Sequence, residues 1–358
     1  MIIPEVRLTR IKLPLITPYR LSYLTVEEFE PLLVEVRDTG GNSGWGEGHI
    51  SRGSSAETPE GGWAFCHNIA ATAVGQDSDT IKASVVDSMA ISPVAAGAFV
   101  SAIDMLTGDP LLRPPAEETR LPILTPVNGL TPEALEAEIE EKLADGFRTF
   151  KIKVGKDLEG DIKRVRTIQD TIAGRATMRI DANRAYSEDD AKQFAAALNP
   201  DGIELFEQPC DSEDWDANAA VAAMSPVPVM LDEPICAIAD IERAATIKGI
   251  GLCKLKLKRF GTLSLLKHAL DLTRELGMTP VLGDGLGTEL SCWMEASVAR
   301  TTIDNAGEFN GFLKPKSRLF ADPLEFAGGD VVLRPDFRPR IDEDVLARHT
   351  IAEERFEA

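Results

Sequence analysis

A chain of 358 residues with a formal net charge of −20 at pH 7 repels nucleic acid and anionic membrane surfaces at long range. Its hydrophobic content of 44% supports a sizeable core, and no apolar run approaches the roughly 18 residues that cross a bilayer. Five cysteines, Cys66, Cys210, Cys236, Cys253 and Cys292, are odd in number and include no C-x-x-C pair, so they read as reduced thiols rather than disulfides or a zinc site. The same net charge admits an anionic substrate only where the site supplies positive charge of its own.

Residues 1–50 read as strands. "VRLTRIKLP" alternates, "PLLVEVRD" follows, and "TGGNSGWGEG" turns into a further short strand. This start lacks the cationic head and uniform apolar stretch of a signal peptide, and a cytoplasmic location is expected. Residues 56–108 are helical in pattern, with apolar residues at three-to-four spacing in "IKASVVDSMA" and "AAGAFVSAIDMLTG". Proline and charge then crowd into "GDPLLRPPAEETRLP", 108–122, the expected domain boundary.

From residue 121 short apolar runs alternate with helical ones. "LPILTPVNG" leads into "TPEALEAEIEEKLADG", a helix opened by a Thr-Pro-Glu cap. "TFKIKVG" is followed by a helix over 157–173, and "ATMRIDAN" by one over 187–198. "GIELFEQP" and "PVMLDEP" come next, with a helix near 238–248. "GLCKLKL", a helix over 262–276, "TPVLGDG", a helix over 288–301 and the strand-like "EFNGF" complete the series. About eight strands alternating with helices predict a parallel sheet closed into a (β/α)₈-type barrel. A doubly wound open sheet is the alternative, but no glycine-rich phosphate loop follows an early strand. The last stretch lacks this rhythm and is expected to return to the N-terminal domain.

Charged residues interrupt these apolar strands once per repeat. Lys153 ends the second strand, Asp181 the third, Glu207 the fourth and Asp232 the fifth, and Lys256 belongs to the sixth, at successive gaps of 28, 26, 25 and 24 residues. A lone acid at a strand end is ordinarily a turn former or a helix cap. Five charges in register, ordered Lys-Asp-Glu-Asp-Lys, converge instead on the mouth of a barrel. Three carboxylates meeting there repel one another unless a cation sits among them. Oxygen donors without His or Cys select a hard ion, Mg²⁺ before Mn²⁺ or Ca²⁺. Strands two and six are diametrically opposite in a ring of eight, so Lys153 and Lys256 flank whatever the ion holds. Lys151, two residues before Lys153, shares its face of the strand, and the carboxylate cluster makes two adjacent ammonium groups tolerable.

These motifs are KIK at 151–153, DAN at 181–183, EQP at 207–209, DEP at 232–234, the Lys256 strand running into RFGT at 259–262, and GWGEG at 44–48. Together they resemble the enolase superfamily, within it the muconate-lactonizing-enzyme subgroup of the mandelate racemase/muconate lactonizing enzyme family. The resemblance implies an α/β fold: a (β/α)₇β TIM-like barrel over 119–321, and an α+β capping domain formed by 1–118, to which the C-terminal segment 322–358 returns. It also implies Asp181, Glu207 and Asp232 as ligands of one Mg²⁺, with Mn²⁺ as a substitute. Lys153 and Lys256 become the acid/base pair, with Lys151 assisting. The expected molecule is a homo-oligomer acting on a small-molecule carboxylate.

Such a site suits removal of a proton α to a carboxylate, where charge must be stabilised as an enediolate forms. Desolvation and Lys151 are expected to draw the Lys153 ammonium down from about 10.4 toward neutrality, freeing a base. With a lysine on each face, one removes the proton and the other returns it, which gives racemisation or epimerisation of an amino-acid derivative. The alternative is a lyase, either a dehydratase of a β-hydroxy acid or an o-succinylbenzoate-synthase-like enzyme, or a cycloisomerase on the same enediolate. No His–Asp pair stands at a strand end among His49, His67, His268 and His349. That argues against the mandelate-racemase and sugar-acid dehydratase subgroups.

Several positions depart from the subgroup's pattern. Asp284 stands where relatives often have a small residue, and Gly287 where they commonly carry Glu. Glu308 and Asn310 replace the Asp-x-Asp that holds the substrate ammonium in dipeptide epimerases. Lys254 replaces a common Asn and is expected to face inward beside Lys256, lowering its pKa. Asn183, Asp284, Glu308 and Asn310 are the expected substrate contacts of the barrel. Tyr19, Arg20, Ser22 and Tyr23, in "TPYRLSYLT" at 17–25, are those of a loop closing over the substrate. Lys258 and Arg259 read as solvated loop residues.

Overall fold

The computed structural model describes residues 1–20, 25–51 and 57–358; Ser22 and Tyr23 lie outside the described residues, as does the side chain of Arg20. Five strands open the chain: β1 (Glu5–Ile11), β2 (Leu13–Arg20), β3 (Thr25–Phe29), β4 (Leu32–Arg37) and β5 (Ser43–Gly48). Helices α1 (Pro59–Ala73), α2 (Ser78–Asp87) and α3 (Pro93–Thr107) follow. β4 pairs antiparallel with both β1 and β5, and α3 lies against β5. The GWGEG run makes that approach work. A Cβ on Gly46 would stand 1.8 Å from the Ala98 carbonyl oxygen, and one on Gly44 2.1 Å from that of Ala102. The alternate residues Trp45 and Glu47 point to the opposite face, where both are buried.

β6 (Thr119–Pro122) leads into the barrel, which begins at β7 (Thr125–Pro126), then α4 (Pro132–Ala144), β8 (Thr149–Lys153), α5 (Leu158–Ile172), β9 (Thr177–Asp181) and α6 (Glu188–Ala196). It continues through β10 (Ile203–Glu207), α7 (Trp215–Ala222), β11 (Val229–Leu231), α8 (Ile238–Ala245) and β12 (Ile250–Leu255). The last turns are α9 (Leu257–Phe260), α10 (Leu263–Glu275), β13 (Thr279–Leu282) and α11 (Glu289–Ala299). Strands β7 to β13 form one curled parallel sheet in chain order. Local chemistry starts the helices: Thr131, Asp157, Ser187, Thr262 and Thr288 each accept a backbone N–H of the first turn through a side-chain oxygen.

The ring closes through hydrogen bonds of single residues rather than a full eighth strand. Gly307 N donates to Pro122 O at 2.8 Å and Leu124 N to Gly307 O at 3.0 Å on one side; Glu308 N donates to Leu282 O at 2.8 Å on the other. The expected strand "LPILTPVNG" is divided. β6 pairs antiparallel with the tail, and β7 joins the barrel sheet. α7 is an element the sequence pattern did not reveal; its "WDANAAVA" is short and carries little apolar contrast.

After residue 322 come β14 (Glu325–Ala327), β15 (Asp330–Leu333), α12 (Glu343–His349) and β16 (Thr350–Glu357). This tail has two destinations where the sequence pointed to the N-terminal domain alone. β15 pairs with β6 beside the barrel, and β16 pairs antiparallel with β1, with Val6 opposite Phe356. All five cysteines are unpaired thiols, four of them buried. Among the described residues, no helix is long and apolar enough to cross a membrane.

Candidate active site

Strand register brings the charged residues together. Lys153 on β8 is aligned with Asp181 on β9, and Asp181 with Glu207 on β10. Asp232 follows β11 by one residue and Lys256 follows β12 by one. The backbone at these strand ends takes left-handed conformations: φ is +46° at Asn183, +69° at Arg184 and +38° at Gln208. Non-glycine residues held there cost on the order of 1–3 kcal/mol, and such strain concentrates at functional sites.

Asp181, Glu207 and Asp232 are 0, 0 and 3% exposed, and lysines lie between them. Lys151 Nζ is 2.9 Å from a carboxylate oxygen of each of Asp181, Glu207 and Glu308. Lys153 Nζ is 2.5 Å from Asp181 Oδ2 and 2.8 Å from Asn183 Oδ1. On the far side of the sheet, Lys256 Nζ lies 2.9 Å from Asp232 Oδ1 and 3.6 Å from Asp284. β9, β10 and β11 separate the strands that carry the two lysines, so Lys153 and Lys256 face the carboxylates from opposing flanks.

Electrostatics departs from the sequence expectation. Burial pulls the Lys153 ammonium down, but Asp181, Tyr19 and Glu207 outweigh burial and Lys151, and Lys153 stands above its ordinary value. Burial likewise acts on Lys256 together with Arg259, and Asp232, Asp284 and Glu233 again hold it up. Two other lysines of this cavity are drawn down, both chiefly by burial: Lys254, to about 7, and Lys258. The reason is direct pairing: with carboxylates in contact, the charged form of Lys153 and Lys256 is favoured. Asp181 and Asp232 are held below the usual carboxylate range despite burial, by Lys151 and Lys153 in one case and by Lys256 and Arg259 in the other.

Tyr19, Asn183, Asp284 and Glu308 line this cavity. Asn310 does not line it. Its Nδ2 donates to Leu124 O at 2.7 Å and its Oδ1 accepts from Lys314 at 2.8 Å, so it fastens the ring closure. Lys258 and Arg259 are not solvated. α9 starts directly after Lys256 and folds both inward, Lys258 Nζ to 2.6 Å from Asp284 and Arg259 Nη1 to 2.8 Å from Asp232. Lys254 does face inward, and it contacts Glu308.

Two residues were missed as individual participants. Gln208 Oε1 accepts the backbone N–H of Asp232, and Glu233 lines the cavity with a buried Oε2 that accepts no hydrogen bond. Both sit inside motifs already quoted, EQP and DEP, which were the available signal.

The donor set suits a hard divalent cation. All three carboxylates offer oxygen alone, and Glu207 Oε2 is buried without a hydrogen bond of proper geometry even though Lys151 Nζ stands 2.9 Å away. Among the described residues no three acids are spaced as a finished metal site, because lysine ammonium groups lie between them.

Residues 134–339 match the sequence model of the enolase C-terminal domain-like family. The L-Lys-D/L-Arg epimerase of Methylococcus capsulatus is 29% identical over 280 residues, 75% of this chain and 79% of that one. Muconate cycloisomerase 1 of Rhodococcus opacus is 27% identical over 357 residues, 92% and 93% of the two chains. In fold, the chain superposes on the N-succinyl Arg/Lys racemase of Bacillus cereus with a TM-score of 0.89 at 21% identity, covering both chains completely. It is equally close, at 0.89 and 22% identity over 99% of this chain and 100% of the other, to a dipeptide epimerase of Cytophaga hutchinsonii solved with Mg and D-Ala-L-Val. These two likenesses establish a TIM-barrel fold with a capping domain.

Proposed function

The chain belongs to the enolase C-terminal domain-like family, and on that premise we propose that it racemises or epimerises an amino-acid derivative by removing the proton α to its carboxylate. Asp181, Glu207 and Asp232 would hold Mg²⁺, whose charge stabilises the enediolate that forms as the proton leaves. With the charge of Asp181 shared by the metal, the pull that keeps Lys153 protonated would weaken; as the free amine Lys153 would take the proton from one face, while Lys256 as the ammonium returns one from the other, and the assignment reverses for the opposite stereoisomer. Lys151, within 2.9 Å of Asp181 and Glu207, adds fixed positive charge where negative charge grows. Asn183 and Asp181 hold the Lys153 amine toward the cavity. Arg259 and Asp232 do the same for Lys256 by fixing the carboxylate that it contacts.

The observation that carries this reading is the placement of Lys153 and Lys256 on opposing flanks of one carboxylate group, each paired with its outermost member. Matched epimerases and racemases support it. Incubating N-acyl amino acids, dipeptides and hydroxy acids with the Mg²⁺-loaded protein in D₂O tests it by proton NMR. Deuterium at the α-carbon with inversion, and no other change of mass, is expected. Loss of water, or ring opening and closure without such exchange, would transfer the chain to the lyase or cycloisomerase reading.

A further inference from the structure

Helix α3 of the cap meets the barrel through a residue that has no side chain. Gly97 is buried in α3, and a Cβ there would stand 3.2 Å from both the Cα and the carbonyl oxygen of Gly261. Gly261 ends α9 with φ +70°, a conformation that glycine adopts without strain. Met89 packs on Gly261 as well: a Cβ on Gly261 would stand 2.4 Å from its Sδ. Met89 belongs to the turn Met89–Ile91, just before α3. Two elements of the cap therefore grip the end of one short helix of the barrel.

That helix carries the Lys256 flank of the site. Gly261 N donates to Leu257 O at 2.8 Å and Arg259 N to Lys256 O at 3.0 Å, so hydrogen bonds tie Gly261 back to Lys256 within one turn. From this turn Lys256 Nζ reaches to 2.9 Å from Asp232, Arg259 Nη1 to 2.8 Å from the same carboxylate, and Lys258 Nζ to 2.6 Å from Asp284. Lys153, on the other flank, extends from β8, with β9, β10 and β11 between it and β12.

A methyl group at position 97 would be absorbed by α9 rather than by α3. α3 is seated on β5 backbone to backbone, since Cβ atoms on Gly44 and Gly46 would fall 2.1 and 1.8 Å from the Ala102 and Ala98 carbonyl oxygens. A close-packed contact of that kind leaves α3 no room to retreat. α9 does have room: a cavity of about 30 Å³ opens beside its start, with Gly97, Leu257 and Lys258 in its wall. A contact of 3.2 Å asks for a displacement of a few tenths of an ångström.

We propose that Gly97 is a positioning residue for the Lys256 flank: the side chain it lacks lets the cap set α9, and through α9 the reach of Lys256 and Arg259 to Asp232. The seating of α9 stands on packing alone; its consequence for proton transfer rests on the two-face chemistry proposed above. The cap thus tunes one face of the reaction and leaves the other face untouched.

Gly97→Ala in the full chain tests this. Alanine is the better helix former, so the urea midpoint is expected to hold. Exchange of α-hydrogen for deuterium is measured in D₂O at saturating Mg²⁺, with both stereoisomers of each N-acyl amino acid and dipeptide. It is expected to slow about tenfold for the stereoisomer that Lys256→Ala impairs and less than about twofold for the other, on the scale that misplacement of a catalytic group sets. Because Arg259 moves with Lys256, calorimetric titration of the metal-free chain with Mg²⁺ alone is expected to show affinity weaker by about tenfold. Met89→Ala, which loosens the second contact on Gly261, takes the place of Gly97→Ala in both measurements if the latter does not fold. A loss confined to the one stereoisomer upholds the proposal; equal loss for both, or loss for neither, overturns it. If wild type exchanges no ligand, the functional reading falls and the titration decides: weakening of the stated size upholds the seating of α9, and unchanged affinity overturns it.

Discussion

Gln208 Oε1 accepts the backbone N–H of Asp232 at 2.9 Å, from a residue whose own backbone is left-handed at φ +38°. Its Nε2 donates to Cys210 O at 3.0 Å, which fixes the orientation of the amide. The side chain thus ties the end of β10, which carries Glu207, to the end of β11, which precedes Asp232. Gln208→Leu leaves a buried N–H without an acceptor, at about 1–3 kcal/mol. Residues that orient ligands change metal affinity by roughly 10–100-fold. We expect that loss in Mg²⁺ affinity by calorimetry, with the protein still folded. Unchanged affinity would reduce Gln208 to a turn former.

The opposing lysines make separate demands. Lys153→Ala and Lys256→Ala should each reduce racemisation by about 10²–10⁴-fold, and each should retain α-deuterium exchange for one stereoisomer only, with opposite preference. Enantiopure ligands in D₂O read this directly. Loss of exchange from both stereoisomers in both variants would remove the two-face arrangement.

Glu47 locks the capping domain to the barrel. Its carboxylate, 9% exposed, accepts Thr288 N at 2.8 Å, Thr288 Oγ1 at 2.7 Å and Ser291 N at 3.0 Å, at the start of α11. Burial raises its pKa against those hydrogen bonds. Glu47→Ala removes the acceptor for three donors and should cost about 2–4 kcal/mol, seen as a lower urea midpoint. Glu47→Gln, which keeps one acceptor oxygen, should lose less than half of that.

Glu295 predicts a dependence of stability on pH. Burial pushes its carboxyl up to about 8 from an ordinary 4.5, with Asp284 adding to the effect and Leu257 N–H, Lys258 and Lys256 opposing it. His49, in the same cavity between cap and barrel, is held down to about 4 by burial and stays neutral over that range. An acid whose folded pKa is raised contributes fully below 4.5, and that contribution is lost as pH rises through 8. Glu295→Gln keeps the acceptor for Leu257 N–H without the charge. Its stability relative to wild type should therefore rise from pH 5 to pH 9 by a few kcal/mol. A difference that does not vary with pH would place the Glu295 titration outside that window.

What could be read ahead of the coordinates was whatever depends on period and register. Charges spaced by one βα repeat announced Lys153, Asp181, Glu207, Asp232 and Lys256, because parallel pairing converts that spacing into proximity. Lys258 and Arg259 escaped because their direction depends on a four-residue helix opening straight after Lys256, which no periodicity signals. Asn310 was assigned to the substrate, yet its amide is spent on Leu124 O and Lys314, a matter of closure geometry invisible to spacing. The ionisation of Lys153 was misjudged for a related reason. Counting its neighbour Lys151 without the contact to Asp181 reversed the sign.

The pairing of β1 with β16 sets a clock on biosynthesis. Arg7, which bonds Glu353 Oε2 through Nε and Nη2, must wait for a partner 346 residues away. At ribosomal speeds of about 5–20 residues per second that delay is roughly 20 to 70 seconds. Throughout it β1 presents an unpaired edge, the kind of surface on which nascent chains stick to one another. The yield of this protein is therefore expected to be sensitive to growth temperature and chaperone supply.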